Sequence, residues 1–87
     1  EMLMKPVLVR FDDYEQIAFE VEKSEDYSVL FLPGTPAAWS GSSAIVAAER
    51  ITYLNMSTMK AVKLMRVFGQ GSLDARKEAF ATKETSQ

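Results

Sequence analysis

The residues best equipped for chemistry lie in the stretch Leu32-Pro33-Gly34-Thr35-Pro36-Ala37-Ala38-Trp39-Ser40-Gly41. Its two prolines restrict φ and its two glycines permit backbone conformations closed to other residues. The Thr35 and Ser40 hydroxyls, with free backbone N–H groups, could receive an anion or a peptide carbonyl there. The same composition also makes a rigid crossover between strands, with Thr35 and Ser40 satisfying the loop's own backbone and Trp39 covering a core edge. Both readings stand at this level. A Ser-Lys nucleophilic pair built on Ser40 or Ser42 would need a desolvated amine as base, and nothing in the local pattern supplies one.

The remaining inventory is short. The chain has no Cys and no His, which excludes thiol nucleophiles, disulfides, imidazole bases and the usual zinc ligands. Asp12, Asp13, Glu15, Glu22, Glu25 and Asp26 gather in two turns. Their spacing matches no calcium loop, so they read as solvated turn acids and no metal is expected. Lys60, Lys63 and Arg66 stand about one helical turn apart, on a ridge that could meet phosphate groups; a polar solvent face is the plainer alternative. Met59 and Val67 near that side hint at a partner surface or a self-association contact. A net charge of −2 gives no global reason to expect nucleic acid. No catalytic residue and no cofactor is assigned, and the chain is expected not to be an enzyme.

These residues need elements to hold them. A chain of 87 residues holds one core, and its 47% apolar and 25% charged residues are ordinary for a folded domain. Val7, Val9 and Phe11 share one face of an extended segment. Ile17, Phe19 and Val21 alternate with Gln16, Ala18, Glu20 and Glu22, which predicts a strand half solvated and half core. Tyr27 to Leu32 is more continuously apolar and is expected to sit centrally, buried on both faces. After the Pro/Gly loop, Ala44 to Ala48 returns to strand character, and Ile51 to Leu54 could extend it past a bend at Glu49 and Arg50.

Ser57 is a suitable N-cap for a helix whose apolar stripe comprises Ala61, Val62, Leu64, Met65 and Phe68, ending near Gly69 and Gly71. The fold expected is α+β, with a small antiparallel sheet of about four strands and room to curl towards a barrel. One C-terminal amphipathic helix packs on it. Residues 1–71 form the domain, and 72–87 a polar, flexible tail with at most a weak turn of helix around Asp74 to Phe80.

Phe31-Leu32-Pro33-Gly34-Thr35-Pro36, then Ser40-Gly41, then Ile51, Leu54, Met56 and Ser57 ahead of a helix, resemble the membrane proteins related to the plant continuous-vascular-ring proteins. That family is one of unknown function with many bacterial members. Ala37 stands where it commonly has Asn, Thr58, Met59 and Lys60 where it has acids, and Gln70 separates Gly69 from Gly71. The resemblance implies a soluble C-terminal domain that follows two membrane-spanning helices absent before Glu1, and the domain is expected to face the cytoplasm. No apolar run in the chain itself reaches the roughly 18 residues a span requires.

The function expected is therefore a non-catalytic binding or assembly module at a membrane surface. It would use Pro33, Gly34, Thr35, Pro36, Trp39, Ser40 and Gly41, with Lys60, Lys63 and Arg66 as an anionic-surface contact. A small-anion sensor at the same loop is the alternative, and a hydrolase the remote third. The partners expected are the membrane, through the missing spans, and a protein or a second copy of the chain.

Overall fold

Two-residue periodicity drives the first half of the chain into three strands, β1 (Lys5–Arg10), β2 (Glu15–Lys23) and β3 (Tyr27–Leu32), paired as an antiparallel meander. The computed structural model describes residues 4–85; residues 1–3 and 86–87, the ends of the expected domain and tail, lie outside the described ones. Each hairpin is closed by a short turn: the Phe11 N–H donates to the Tyr14 carbonyl at 2.8 Å, and the Ser24 N–H to the Tyr27 carbonyl at 2.8 Å. A fourth strand, β4 (Ser42–Ala47), adds to β3.

The fifth segment departs from expectation. Ile51 to Tyr53 forms a separate strand, β5, which pairs with β1 at the far side of the sheet and does not extend β4. The strand order is β4-β3-β2-β1-β5, so β2 takes the central place expected of Tyr27 to Leu32. Only a three-residue 3-10 turn, Ala48–Arg50, joins the two edges. In a flat sheet those edges would stand about 19 Å apart, at about 4.8 Å per strand. The chain from Ala47 to Ile51 reaches at most about 14 Å even when extended. The sheet must therefore curl, assisted by an irregularity in register between Glu20 and Glu22. It stays open, because no ladder joins β4 to β5 among the described residues.

Curling gives the sheet two buried faces. Val7, Val9, Ala18, Leu30 and Val46 fill the concave side, with Phe11 and Ile51 packed at its margin. Leu8, Ile17 and Phe19 point to the other side, where Ala38, Leu54, Ala61, Val62, Met65 and Ala79 cover them. β2 is thus core on both faces and not half solvated, with Ala18 and Phe19 both at 0% exposure. Val21, beside the register irregularity, is half-buried.

The concave side also holds a carboxylate. Glu20 is 1% exposed. It accepts from Ser28 Oγ at 2.7 Å and from Tyr53 Oη at 2.9 and 3.1 Å. A charge buried without such donors would cost several kcal/mol. Burial, then the hydrogen bond to Glu20 and its charge, push the Tyr53 phenol above the ordinary tyrosine value.

α1 (Thr58–Arg66) starts as expected, with Ser57 Oγ accepting from the Lys60 N–H at 3.1 Å. Thr58 Oγ1 donates to the Met4 carbonyl at 2.7 Å, tying the helix start to the foot of β1. Ala61, Val62 and Met65 are buried and Leu64 half-buried, but Phe68 leaves the stripe and is 73% exposed. A second helix, α2 (Ser72–Thr85), occupies the stretch expected as a tail. Its polar composition hides one small anchor, Ala79, which enters the core, and Arg76 Nε holds Glu15 Oε1 at 2.6 Å. No described helix is long and apolar enough to cross a membrane.

The Tyr53 phenol makes part of the stability sensitive to alkaline pH. Because its pKa is higher in the folded chain, the unfolded chain loses that proton first as pH rises. This contribution to stability is intact below about pH 10 and fades as pH climbs through the folded value. Denaturant midpoints measured across that range should fall more steeply for the natural chain than for Tyr53→Phe; parallel curves would contradict the linkage.

Candidate interaction surface

The loop between β3 and β4 folds onto itself. The Gly34 N–H donates to the Ala38 carbonyl at 3.3 Å and the Ser40 N–H to the Ala37 carbonyl at 3.1 Å. A Cβ at Gly34 would strike the Ser40 carbonyl and one at Gly41 the Leu32 carbonyl, so backbone runs against backbone at both ends of the loop. The Thr35–Pro36 peptide bond is cis. Pro33 and Ala38 are buried, while Thr35, Pro36, Ala37, Trp39 and Ser40 face outward. The crossover reading holds for Pro33, Gly34 and Gly41, which build the loop. It does not hold for the hydroxyls: among the described residues, neither Thr35 nor Ser40 engages its side chain in a hydrogen bond.

Trp39 is anchored and open at once. Its ring lies 6.0 Å from that of Phe31 and 5.7 Å from that of Phe19, yet the residue is 59% exposed. Aromatic neighbours fix its plane. Val62 and Arg66 of α1 stand opposite, and together with Pro36, Ala37, Trp39 and Ser40 they border a groove of about 380 Å³. Two stretches that sequence treats separately, the loop and one end of the cationic ridge, meet here.

The ridge does not act as a single block. Arg66 joins the loop, Lys63 projects into solvent, and Lys60 borders a different hollow beside Asp74 and Glu78. None of the three is in an ion pair among the described residues. Between them the helix exposes Met59 (62%) and Val67 (49%). At 100° per residue, Arg66, Met59, Lys63, Val67 and Lys60 fall in an arc of about 120°, so cations and apolar side chains share one face. No Asp or Glu lies between Ser57 and Leu73. Two of the turn acids are committed elsewhere: Asp12 meets Arg50 at 3.4 Å, and Glu15 meets Arg76. Ser42 opens β4 at the surface with no basic partner among the described residues.

Phe68 is exposed next to Val67, which the helical pattern does not foretell. The Gly69 N–H reaches back to the Leu64 carbonyl at 2.7 Å and the Phe68 N–H to the Met65 carbonyl at 3.1 Å, the double bond of a Schellman ending. That ending needs a left-handed residue, and Phe68 takes it at φ 60° although glycine follows. An L-residue pays about 1 kcal/mol or more for that conformation. Its ring, 73% exposed, recovers little by burial. Phe68→Gly should therefore raise stability by about 1 kcal/mol and Tm by roughly 4–8 °C. A fall in Tm on thermal unfolding would show that the ring packs more than its exposure indicates.

Comparison of the chain with protein-family models, curated proteins and solved structures finds no match in any of the three.

Proposed function

We propose that the chain is a non-catalytic binding module that docks on an anionic membrane surface through Trp39 and the outer face of α1. The observation that carries this is the meeting, across one groove, of an anchored, exposed tryptophan with Arg66, which has no ion pair among the described residues. Tryptophan favours the boundary between headgroups and acyl chains, because its ring is apolar and its N–H is polar. Met59 and Val67 on the outer face of α1, with Phe68 just beyond the helix, add exposed apolar groups, and Lys60, Lys63 and Arg66 add charge. Each cation near an anionic leaflet contributes about 1 kcal/mol, and the cytoplasmic leaflet is the one whose charge suits this face.

The resemblance of Phe31 to Ser57 to a family of membrane proteins supports the same setting, in which spans outside this chain would hold the domain beside the bilayer. Phe68 supports it too. An exposed aromatic kept where glycine is cheaper has more use in a complex than in the free fold.

Trp39 is the chain's single tryptophan, so its emission reports the contact directly. Vesicles rich in phosphatidylserine should shift that emission to the blue, and phosphatidylcholine vesicles should not. Added salt should weaken the binding. Neutralising Lys60, Lys63 and Arg66 to Gln together should cost about a hundredfold in affinity. Binding that ignores both salt and lipid charge would overturn the proposal. A blue shift produced equally by free phosphate would transfer the groove to a small anion.

A further inference from the structure

The opposite face of the sheet carries a second, unrelated site. Where the curl brings the Ala48–Arg50 turn near the turn between β2 and β3, a pocket of about 190 Å³ opens, bordered by Glu20, Lys23, Glu25, Ser28, Ile51 and Tyr53. At about 30 Å³ for each water-sized group, it has room for a molecule of about six non-hydrogen atoms.

Its charges are arranged with one opening left. A carboxylate offers about four acceptor positions, and Glu20 receives one proton from Ser28 at Oε2 and one from the Tyr53 hydroxyl, which lies within reach of both oxygens. A position on Oε1 stays free. No cation pairs with Glu20 among the described residues. Lys5, directly opposite Glu20 in register, holds its ammonium 5.5 Å from the centre of the Tyr53 ring, and Lys23 holds its own at 6.0 Å. The phenol thus separates a buried negative group at its hydroxyl end from two positive groups over its ring. A glutamine would meet the two hydroxyls at a lower desolvation cost, so the hydrogen bonds alone do not account for a buried charge here.

We propose that this pocket binds a small α-amino acid as a zwitterion. The ligand's ammonium donates to the free position on Glu20 Oε1, and its carboxylate turns outward to Lys23, with Lys5 adding charge from the other side of Tyr53. Glu20 at the floor and Lys23 at the rim match the two charges of the ligand in sign and in order, with Glu25 also on the border. Glycine or alanine has five or six non-hydrogen atoms, which suits the space.

The test is an amide NMR titration of the whole chain with alanine, methylammonium and acetate in parallel. Alanine should give saturable shifts at Ser24, Ser28 and Tyr53, and each half-ligand should bind about tenfold more weakly or less well still. Glu20→Gln should lower alanine affinity at least about tenfold, the value of a charge-assisted hydrogen bond. Tyr53→Phe removes one donor from the carboxylate, leaving it more open to the ligand's ammonium, and should tighten binding, a gain that a purely structural role for the pair cannot produce. That variant decides the matter if Glu20→Gln fails to fold. The absence of saturable shifts would overturn the proposal. So would acetate matching alanine, unchanged affinity in a folded Glu20→Gln, or weaker binding by Tyr53→Phe.

Discussion

The short passage from β4 to β5 is the constraint on which the rest of this molecule depends. Three residues must link strands at opposite edges of a five-stranded sheet, and no flat sheet allows it. Curvature follows, and with it a concave side narrow enough for β1, β2, β3 and β4 to share one cluster, flanked by Ile51 of β5. The convex side is then left for helices. A chain this short buries limited area, and lining both faces of one sheet is how it builds a core of useful size. Glycine has its part at Gly34 and Gly41, where backbone lies against backbone and the loop returns the chain to β3 in register for β4.

Local pattern revealed the elements whose determinants are local. The strand from Tyr27 to Leu32, the cap at Ser57 and the inward turn of Ile17 and Phe19 all follow from neighbours within a few residues. What escaped was decided at long range. Ala18 and Glu20 read as the wet side of an alternating strand, because an alanine carries no strong signal and a glutamate carries the wrong one. Glu20 is buried through Ser28, eight residues away, and Tyr53, 33 away, and neither pairing is visible along the chain. β5 reads as a continuation of β4 because both are apolar and adjacent; only pairing with β1 assigns it to the other edge. α2 is anchored by Ala79, the half-buried Phe80 and Arg76 in an otherwise polar stretch, which is the composition of a tail as well.

The candidate surface was legible as parts and not as a whole. The loop was singled out by Pro, Gly and Trp, and the ridge by its cations, yet Trp39 and Arg66 are 27 residues apart. Their meeting at Arg66 and Trp39 depends on how α1 lies across the sheet. Phe68 shows the opposite failure, since a helical wheel assigns it inward and the left-handed ending rotates it out. Periodicity applies only while the helix lasts, and this one ends at Arg66.

Adjacent residues of β2 connect the two faces. Phe19 lies under Trp39 on the convex side, and Glu20 forms the floor of the concave pocket. Strand alternation sends them in opposite directions, so each face is chemically separate although the two sites share a peptide bond. Substitutions at exposed groups, such as Arg66 or Lys23, touch one face only and should act independently. Substitutions that shift β2 should not. A change in the fit of Phe19 moves the backbone that aims Glu20, because packed interiors transmit displacement more readily than they absorb it. Independence at the surface and coupling through the strand are therefore both consequences of a single sheet buried on its two sides.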